Sequence, residues 1–297
     1  MDNRGINLEF LGCGHQDLIP WYGNNSAFFK NHTKDGTNMC LFDCGGRNAN
    51  RIIKKARVLD NVRRLFVGIS HAHPDHFDGL DQLLDECNTR NILTGIIQVP
   101  FSGQQKDIMN ALTNFGLKRR RLVLVRGHEI APLMGIHDME FDLLEHDPRA
   151  QTTAFIMKNK NPITGKITET TFAADHCDSR FIRRQVENRQ TELVYTDCTG
   201  NDGRTTHFSF NKLCRLVPPQ FRQKFVLMCM TRKVPQTGKA AGFLTADQFY
   251  CDPQVCYKEN DVYKMAKIRA GNMSAVDAAP IQKLPQPHFP TEFARSN

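Results

Sequence analysis

Residues 65–80 read LFVGISHAHPDHFDGL, an apolar run that ends in three histidines and two aspartates within eleven positions. Leu65 to Ile69 have the composition of a buried strand, and Phe77 to Cys87 carry apolar residues at helical spacing, so the histidines lie on a strand-to-helix loop. His71 and His73 are two apart on an extended stretch, which points their imidazoles to the same side. Pro74 restricts His73 to extended backbone and then forces a turn. That turn aims Asp75 and His76 away from the first pair. The geometry suits two metal ions a few ångströms apart, His71 and His73 serving one, Asp75 and His76 the other. A cluster of surface histidines beside a helix capped by Asp75 is the bland alternative. Three imidazoles and a carboxylate converging behind a buried strand favour the metal site.

Working outward, "INLEFLGCG" (6–14), "NSAFFKN" (25–31) and "TNMCLFDCGG" (37–46) alternate and end in turn signals, an opening β-meander. "ARVLDNVRRLFVGIS" (56–70) reads as helix passing into strand, and "TGIIQVP" (94–100) and "RLVLVR" (121–126) as strands around a helix at 104–117. "MEFDLLEHD" (139–147) is a strand reaching His146. Residues 152–176 form a long hairpin turning at Asn161-Pro162 and Gly165 and ending at Asp175. A helix near 179–190, the strand "TELVYTD" (191–197), a helix from about 209 and the strand "KFVLMCM" (224–230) follow. A meander followed by alternating strands and helices predicts an α/β chain with two mixed sheets and helices outside.

The 297 residues are 40% hydrophobic and 24% charged, an ordinary globular balance that allows one large domain. Residues 1–236 are expected to form it. Residues 237–297 are a weaker, Pro-rich extension, expected to pack on the domain or on the partner in a homodimer. The sequence has no run of eighteen uncharged apolar residues and a charged start, which predicts a cytoplasmic protein without a membrane anchor. Ten cysteines without a CxxC pair, several on apparent apolar strands (Cys40, Cys214, Cys229), read as reduced thiols. The net charge of +8 favours an anionic partner, a nucleotide or RNA. Its densest run, Lys118 to Arg121, is explained equally well as the solvated end of a helix.

The H-x-H-x-D-H stretch after a strand resembles the hallmark of the metallo-β-lactamase-fold hydrolase superfamily, over roughly residues 6–232. The resemblance implies an αβ/βα sandwich of two mixed β-sheets flanked by helices, with two divalent ions, zinc or manganese, at one edge. It implies His146 as the next ligand of the first ion and Asp175 as the bridging carboxylate. The order of later motifs is similar to the ribonuclease Z-like and phosphodiesterase branch. That similarity implies Asp197 as the acidic residue that orients a catalytic histidine, His207, which protonates the leaving oxygen. It also implies a last metal-binding histidine where this chain has Cys229, a competent zinc ligand and equally a small core residue.

The expected activity is therefore hydrolysis of a phosphodiester by a hydroxide shared between the ions, with Asp75 also orienting the attack. A small or cyclic nucleotide is the expected substrate, because the long Gly- and Pro-rich arm of transfer-RNA processing enzymes has no counterpart beyond the hairpin at 159–168. A ribonuclease Z-type endonuclease, an ester or lactone hydrolase, and a metal-depleted nucleotide-binding protein are the alternatives.

Overall fold

The computed structural model describes residues 6–12, 24–54, 58–117, 122–147, 150–200, 206–228 and 234–249. Strands β1 (Glu9–Gly12), β2 (Ser26–Thr33), β3 (Gly36–Phe42), β4 (Val62–Gly68), β5 (Leu93–Ile97) and β6 (Leu124–Val125) form one sheet in chain order. Strands β7 (Asp138–Asp147), β8 (Ala150–Lys160), β9 (Ile167–Ala173), β10 (Thr191–Asp197), β11 (Phe225–Met228) and β12 (Leu244–Thr245) form the other, also in chain order. Each sheet begins with three antiparallel strands and continues in parallel. The helices are α1 (Gly46–Lys54), α2 (Leu80–Thr89), α3 (Ser102–Asn114), α4 (Gly127–Ile130), α5 (Ser179–Glu187), α6 (Phe210–Leu216) and α7 (Val234–Ala240). This is the expected αβ/βα sandwich of two mixed sheets.

The parallel strands β4 and β11 are buried along most of their length, which is why "LFVG" and "FVLM" read as continuous apolar runs rather than alternating ones. Aromatic rings join the sheets. Phe42 of β3 packs against Phe155 of β8 and Phe172 of β9, with centroids 4.9 and 5.1 Å away. Tyr195 of β10 lies 5.6 Å from Phe10, and its hydroxyl oxygen accepts the Leu8 N–H at 2.9 Å, so a buried phenol keeps its polar atom satisfied while filling the core. Gly68 ends β4 under this layer; a Cβ there would stand 2.8 Å from the Phe155 ring.

Several local expectations need correction. The helix expected within 56–61 lies earlier, at α1, while residues 58–61 turn into β4; Asn61, at φ 58°, is in the left-handed region that ends helical winding. The strand expected over 121–126 shrinks to β6, and Arg121 lies outside the described residues. Cys214 is on α6 rather than on a strand. Beyond residue 236, α7 continues to Ala240 and Leu244–Thr245 of β12 pair in parallel with β11. The remainder of the extension, 250–297, lies outside the described residues, as do Cys229 and the run from Lys118 to Arg121. Among the described residues no helix is long and apolar enough to cross a membrane.

Candidate metal centre

The site forms where β4, β7, β9 and β10 end along one rim of the sandwich. After β4, His73 has extended backbone (φ −85°, ψ 138°), as a residue before proline must, and Pro74–His76 make one 3₁₀ turn. The His76 and Phe77 N–H groups close it on the carbonyls of His73 and Pro74, at 3.1 and 3.0 Å. The turn does not aim His76 away from the first pair, as the sequence led us to expect. His76 is buried with its ring 4.2 Å from that of His71, whereas Asp75 is 31% exposed and its Oδ2 stands 3.7 Å from His76 Nε2.

Three imidazoles meet at one point. His71 Nε2 lies 2.9 Å from His73 Nδ1, and His146 Nε2, from β7, lies 3.3 Å from the same atom. Outer partners engage the far nitrogens of two of these rings. The His146 Nδ1–H donates to the Thr206 carbonyl at 2.9 Å, and His71 Nδ1 is 3.0 Å from the Ser70 hydroxyl. A histidine tied this way through one nitrogen presents the other as a lone pair, the usual support of a ligating imidazole. Burial lowers the pKa of His71 well below the ordinary histidine value, helped by the charge on His76, and burial also lowers that of His146. Both rings are thus held neutral, the form that binds metal.

A second group joins His71, His76 and Asp175, with one donor atom from each within 4.8 Å of the others. His76 lies between two carboxylates: Nδ1 is 2.8 Å from Asp43 Oδ2, and Nε2 is 3.1 Å from Asp175 Oδ2. Burial opposes charge on His76, but Asp43 and Asp175 together outweigh it and hold its pKa well above the usual value. For Asp175 burial favours the protonated acid; the charge and hydrogen bond of His76 overcome that and hold its carboxyl well below the ordinary range. Asp175 has φ 42° just past the end of β9, a left-handed backbone that costs energy and concentrates at functional sites. Its Oδ1 is buried and has no hydrogen-bond partner. The neutral imidazoles of His71 and His146 and a buried carboxylate oxygen left open are donors that zinc takes, so these residues fit a divalent ion.

Asp197 ends β10, fully buried, and its Oδ2 accepts the His207 Nδ1–H at 2.6 Å. His207 stands three positions before α6 rather than opening it; Ser209 is the cap, its Oγ accepting the Lys212 N–H at 3.2 Å. Two backbone bonds around Thr199, 2.7 Å to the Phe208 carbonyl and 2.8 Å from the Phe210 N–H, pin this loop beside β10. The His207 ring is 5.4 Å from that of His146.

The structure therefore brings His71, His73, His76, His146, Asp175, Asp197 and His207 into one site. Asp75 lies at its edge, and Cys229 is outside the described residues. Sequence reasoning passed over Asp43, Ser70 and Gln104. Asp43, at φ 59° after β3, holds the Ser70 N–H at 2.8 Å with Oδ1, and holds both the Ser70 hydroxyl (2.9 Å) and His76 with Oδ2. Gln104 of α3 donates to the Ser70 carbonyl at 2.9 Å and takes the Thr153 hydroxyl. The available signal was the strand-end aspartate before two glycines in "LFDCGG" (41–46). A Cβ on Gly45 would overlap the Asp75 carbonyl, so this glycine lets the two loops touch.

His176, beside Asp175, is wholly buried, its Nε2 2.9 Å from the Thr196 hydroxyl and its ring edge-on to Phe181 and Phe208. Burial pushes its pKa down to about 3. Below the ordinary value near 6.5 the unfolded chain takes up a proton that the folded chain refuses, so folding stability falls with pH by about 1.4 kcal/mol per unit between those limits. Chemical denaturation in the presence of a chelator is expected to show a shallower acid slope for His176→Asn than for the parent. Identical slopes would mean that His176 is protonated in the folded protein.

No family model matches the chain, and no curated protein matches it in sequence. Solved structures do. A diphosphatase of the PhnP family superposes with a TM-score of 0.55 at 13% identity, over 80% of this chain and 93% of that one. Human short-form tRNase Z gives 0.50 at 15%, over 81% and 96%. A metallo-β-lactamase-fold protein from Bacillus subtilis gives 0.52 at 14%, over 82% and 92%. The chain has the metallo-β-lactamase fold.

Proposed function

We propose that this chain is a metal-dependent hydrolase of phosphodiester bonds, acting on a small or cyclic nucleotide, with His207 as general acid. The observation that carries the reading is the buried Asp197–His207 pair, 2.6 Å apart, facing the group of His71, His73 and His146 across one rim. Divalent zinc or manganese held there supplies a Lewis acid for a phosphate oxygen and makes water nucleophilic near neutral pH.

His71, His73, His146 and Asp175 are the ligands assigned to one ion. Asp75, His76 and Asp175 are assigned to a second, with Cys229 added from its place in the sequence alone. His76 keeps its orientation through Asp43. Asp197 fixes Nδ1 of His207 as the protonated nitrogen and favours the imidazolium, so Nε2 offers its proton to the departing oxygen. Lys212, whose Nζ donates to the Cys177 carbonyl at 3.3 Å, adds positive charge two residues from Asp175 and favours an anion. The β8–β9 connection is a tight turn over residues 161–166, with Asn161 Oδ1 accepting the Ile163 and Thr164 N–H groups at 2.9 Å. A compact connection there suits a small substrate better than a gripped RNA.

The test is a screen of the purified chain, with its metal content measured, against cyclic mononucleotides, dinucleotides, bis(p-nitrophenyl) phosphate and a lactone. Diester cleavage proportional to bound zinc or manganese is expected; lactone cleavage with untouched diesters would overturn the reading. Cys229→Ala is expected to lower the metal content by about one ion per chain, read by elemental analysis.

A further inference from the structure

We infer that Gln104, a residue outside the donor set, is a positioning residue of the centre. With Thr153 it clamps the Ser70 carbonyl, and so fixes the loop of His71 and His73 against the sheet that carries His146 and Asp175. The inference rests on the centre binding a divalent ion; it does not depend on the substrate or on His207.

The donors come from two sheets. His71, His73 and His76 follow β4 of the first, while His146 stands at the end of β7 and Asp175 just past β9 of the second. Apolar packing between sheets is not directional. Donors on one ion must hold their places to about 0.2 Å, and hydrogen bonds have the direction to impose that. Strand β8 lies between β7 and β9 and supplies no ligand. Its register sets Thr153 opposite Leu143 and Thr152 opposite Leu144, two residues short of His146. The Thr152 hydroxyl donates to the Ala174 carbonyl, beside Asp175, at 3.0 Å. The same stretch reaches the first sheet, where the Thr153 N–H donates to the Ser70 carbonyl at 2.8 Å. Residues 152 and 153 therefore join the chain segments that carry His71, His146 and Asp175.

Gln104 closes this junction from α3. Its Nε2 donates to the Ser70 carbonyl at 2.9 Å and to the Gln151 carbonyl at 3.1 Å, and its Oε1 accepts the Thr153 hydroxyl. Gln104 is 8% exposed, and Ser70, Thr152 and Thr153 are fully buried. A buried glutamine often does no more than satisfy a carbonyl. The Ser70 carbonyl already has the Thr153 N–H, so the second bond adds direction rather than satisfaction. Ser70 is then tied on both sides: Asp43 takes its N–H and hydroxyl, at 2.8 and 2.9 Å, while Thr153 and Gln104 hold its carbonyl. That carbonyl belongs to the planar peptide leading into His71, so fixing it fixes where the His71 side chain begins. The Ser70 hydroxyl, 3.0 Å from His71 Nδ1, sets the ring from the same residue.

Zinc binding by the full chain, stripped of metal and followed by competition with a chromophoric chelator, tests the clamp. Gln104→Met is similar in shape and makes neither hydrogen bond. It is expected to weaken binding about tenfold, the lower end for residues that orient ligands without touching the ion. Thr153→Val exchanges only the hydroxyl for a methyl; it should do the same, and serves should Gln104→Met fail to fold. Thr153→Ser should restore parental affinity. Because both changes break one clamp, the double variant should lose little more than either alone; losses that multiply would overturn the shared clamp. Cobalt(II) in place of zinc gives a readout that lowered stability alone does not move. The visible spectrum of the bound ion should shift in Gln104→Met and Thr153→Val and return in Thr153→Ser. Parental affinity and spectrum in the folded variants would overturn the clamp and leave the proposed function standing. A parent that binds no zinc would overturn both.

Discussion

His207→Ala is expected to slow cleavage of a dialkyl or ribose phosphodiester by roughly 10²- to 10⁴-fold, the usual contribution of a positioned general acid. A divalent ion bound by His71, His73 and His146 should stay in place. His207 is not in that group, and its ring contacts His146 only edge-on, at 5.4 Å. The decisive comparison is between leaving groups. An alkoxide needs a proton as the bond to phosphorus breaks, and p-nitrophenolate barely does, so the loss should be large for the first and small for the second. A merely structural role for His207 would lower both equally. Asp197→Asn should follow with a smaller loss and the same dependence on leaving group, because the asparagine still meets Nδ1 without the charge that favours the imidazolium. Equal turnover of parent and variant on the alkyl substrate would remove His207 from the mechanism.

How far the sequence revealed this site depended on how locally each residue's role was encoded. His71, His73 and His76 were legible because a proline and a short apolar strand dictate their backbone without tertiary help, and the 3₁₀ turn at Pro74–His76 is a local consequence. His146 and Asp175 came only from the resemblance, which expects a histidine and an aspartate at those strand ends; alone, each reads as an ordinary strand-end or turn residue. Asp197 and His207 needed the order of elements as well, and there the reading slipped: His207 does not open α6 but stands three positions before it, and Ser209 is the cap. Asp43 gave only the weak signal of a strand-end aspartate before two glycines and Gln104 gave none, because their partners are 27 and 34 residues away and come from different elements. Nothing local distinguishes a strand-end aspartate that holds a histidine from one that ends a strand. Among the elements, α1 was misplaced because "ARVLDN" has helical composition while Asn61 adopts a left-handed turn, a choice made by the sheet that Val62 must join. The two-residue β6 shows the same limit. Its apolar letters promise a longer strand, yet pairing with β5 is confined to Ile96 and Ile97.

Asp43 carries the second large effect. It is fully buried, and its two oxygens accept from the Ser70 backbone, the Ser70 hydroxyl and His76. Burial raises the Asp43 pKa, while the His76 charge and the Ser70 hydrogen bonds pull it back. Asp43→Ala deletes one side of a buried ion pair and leaves His76 with carboxylates only on its Nε2 side, Asp175 at 3.1 Å and the partly exposed Asp75 at 3.7 Å. Removing one partner of such a pair costs about 3–5 kcal/mol, more than replacing both, because the remaining group keeps its desolvation penalty. The metal-free variant should therefore unfold at markedly lower denaturant than the parent. Zinc affinity should fall as well, by about 10- to 100-fold, since residues that orient ligands without touching the ion commonly contribute that much. Asp43→Asn separates the two effects. Its amide oxygen can still accept from Ser70 or His76, so most of the stability should return. Without the carboxylate the orientation of His76 is less strictly set, and the affinity loss should persist. A variant with parental stability and parental zinc affinity would show that Ser70 and the 3₁₀ turn alone hold His76, and that Asp43 is dispensable to the centre.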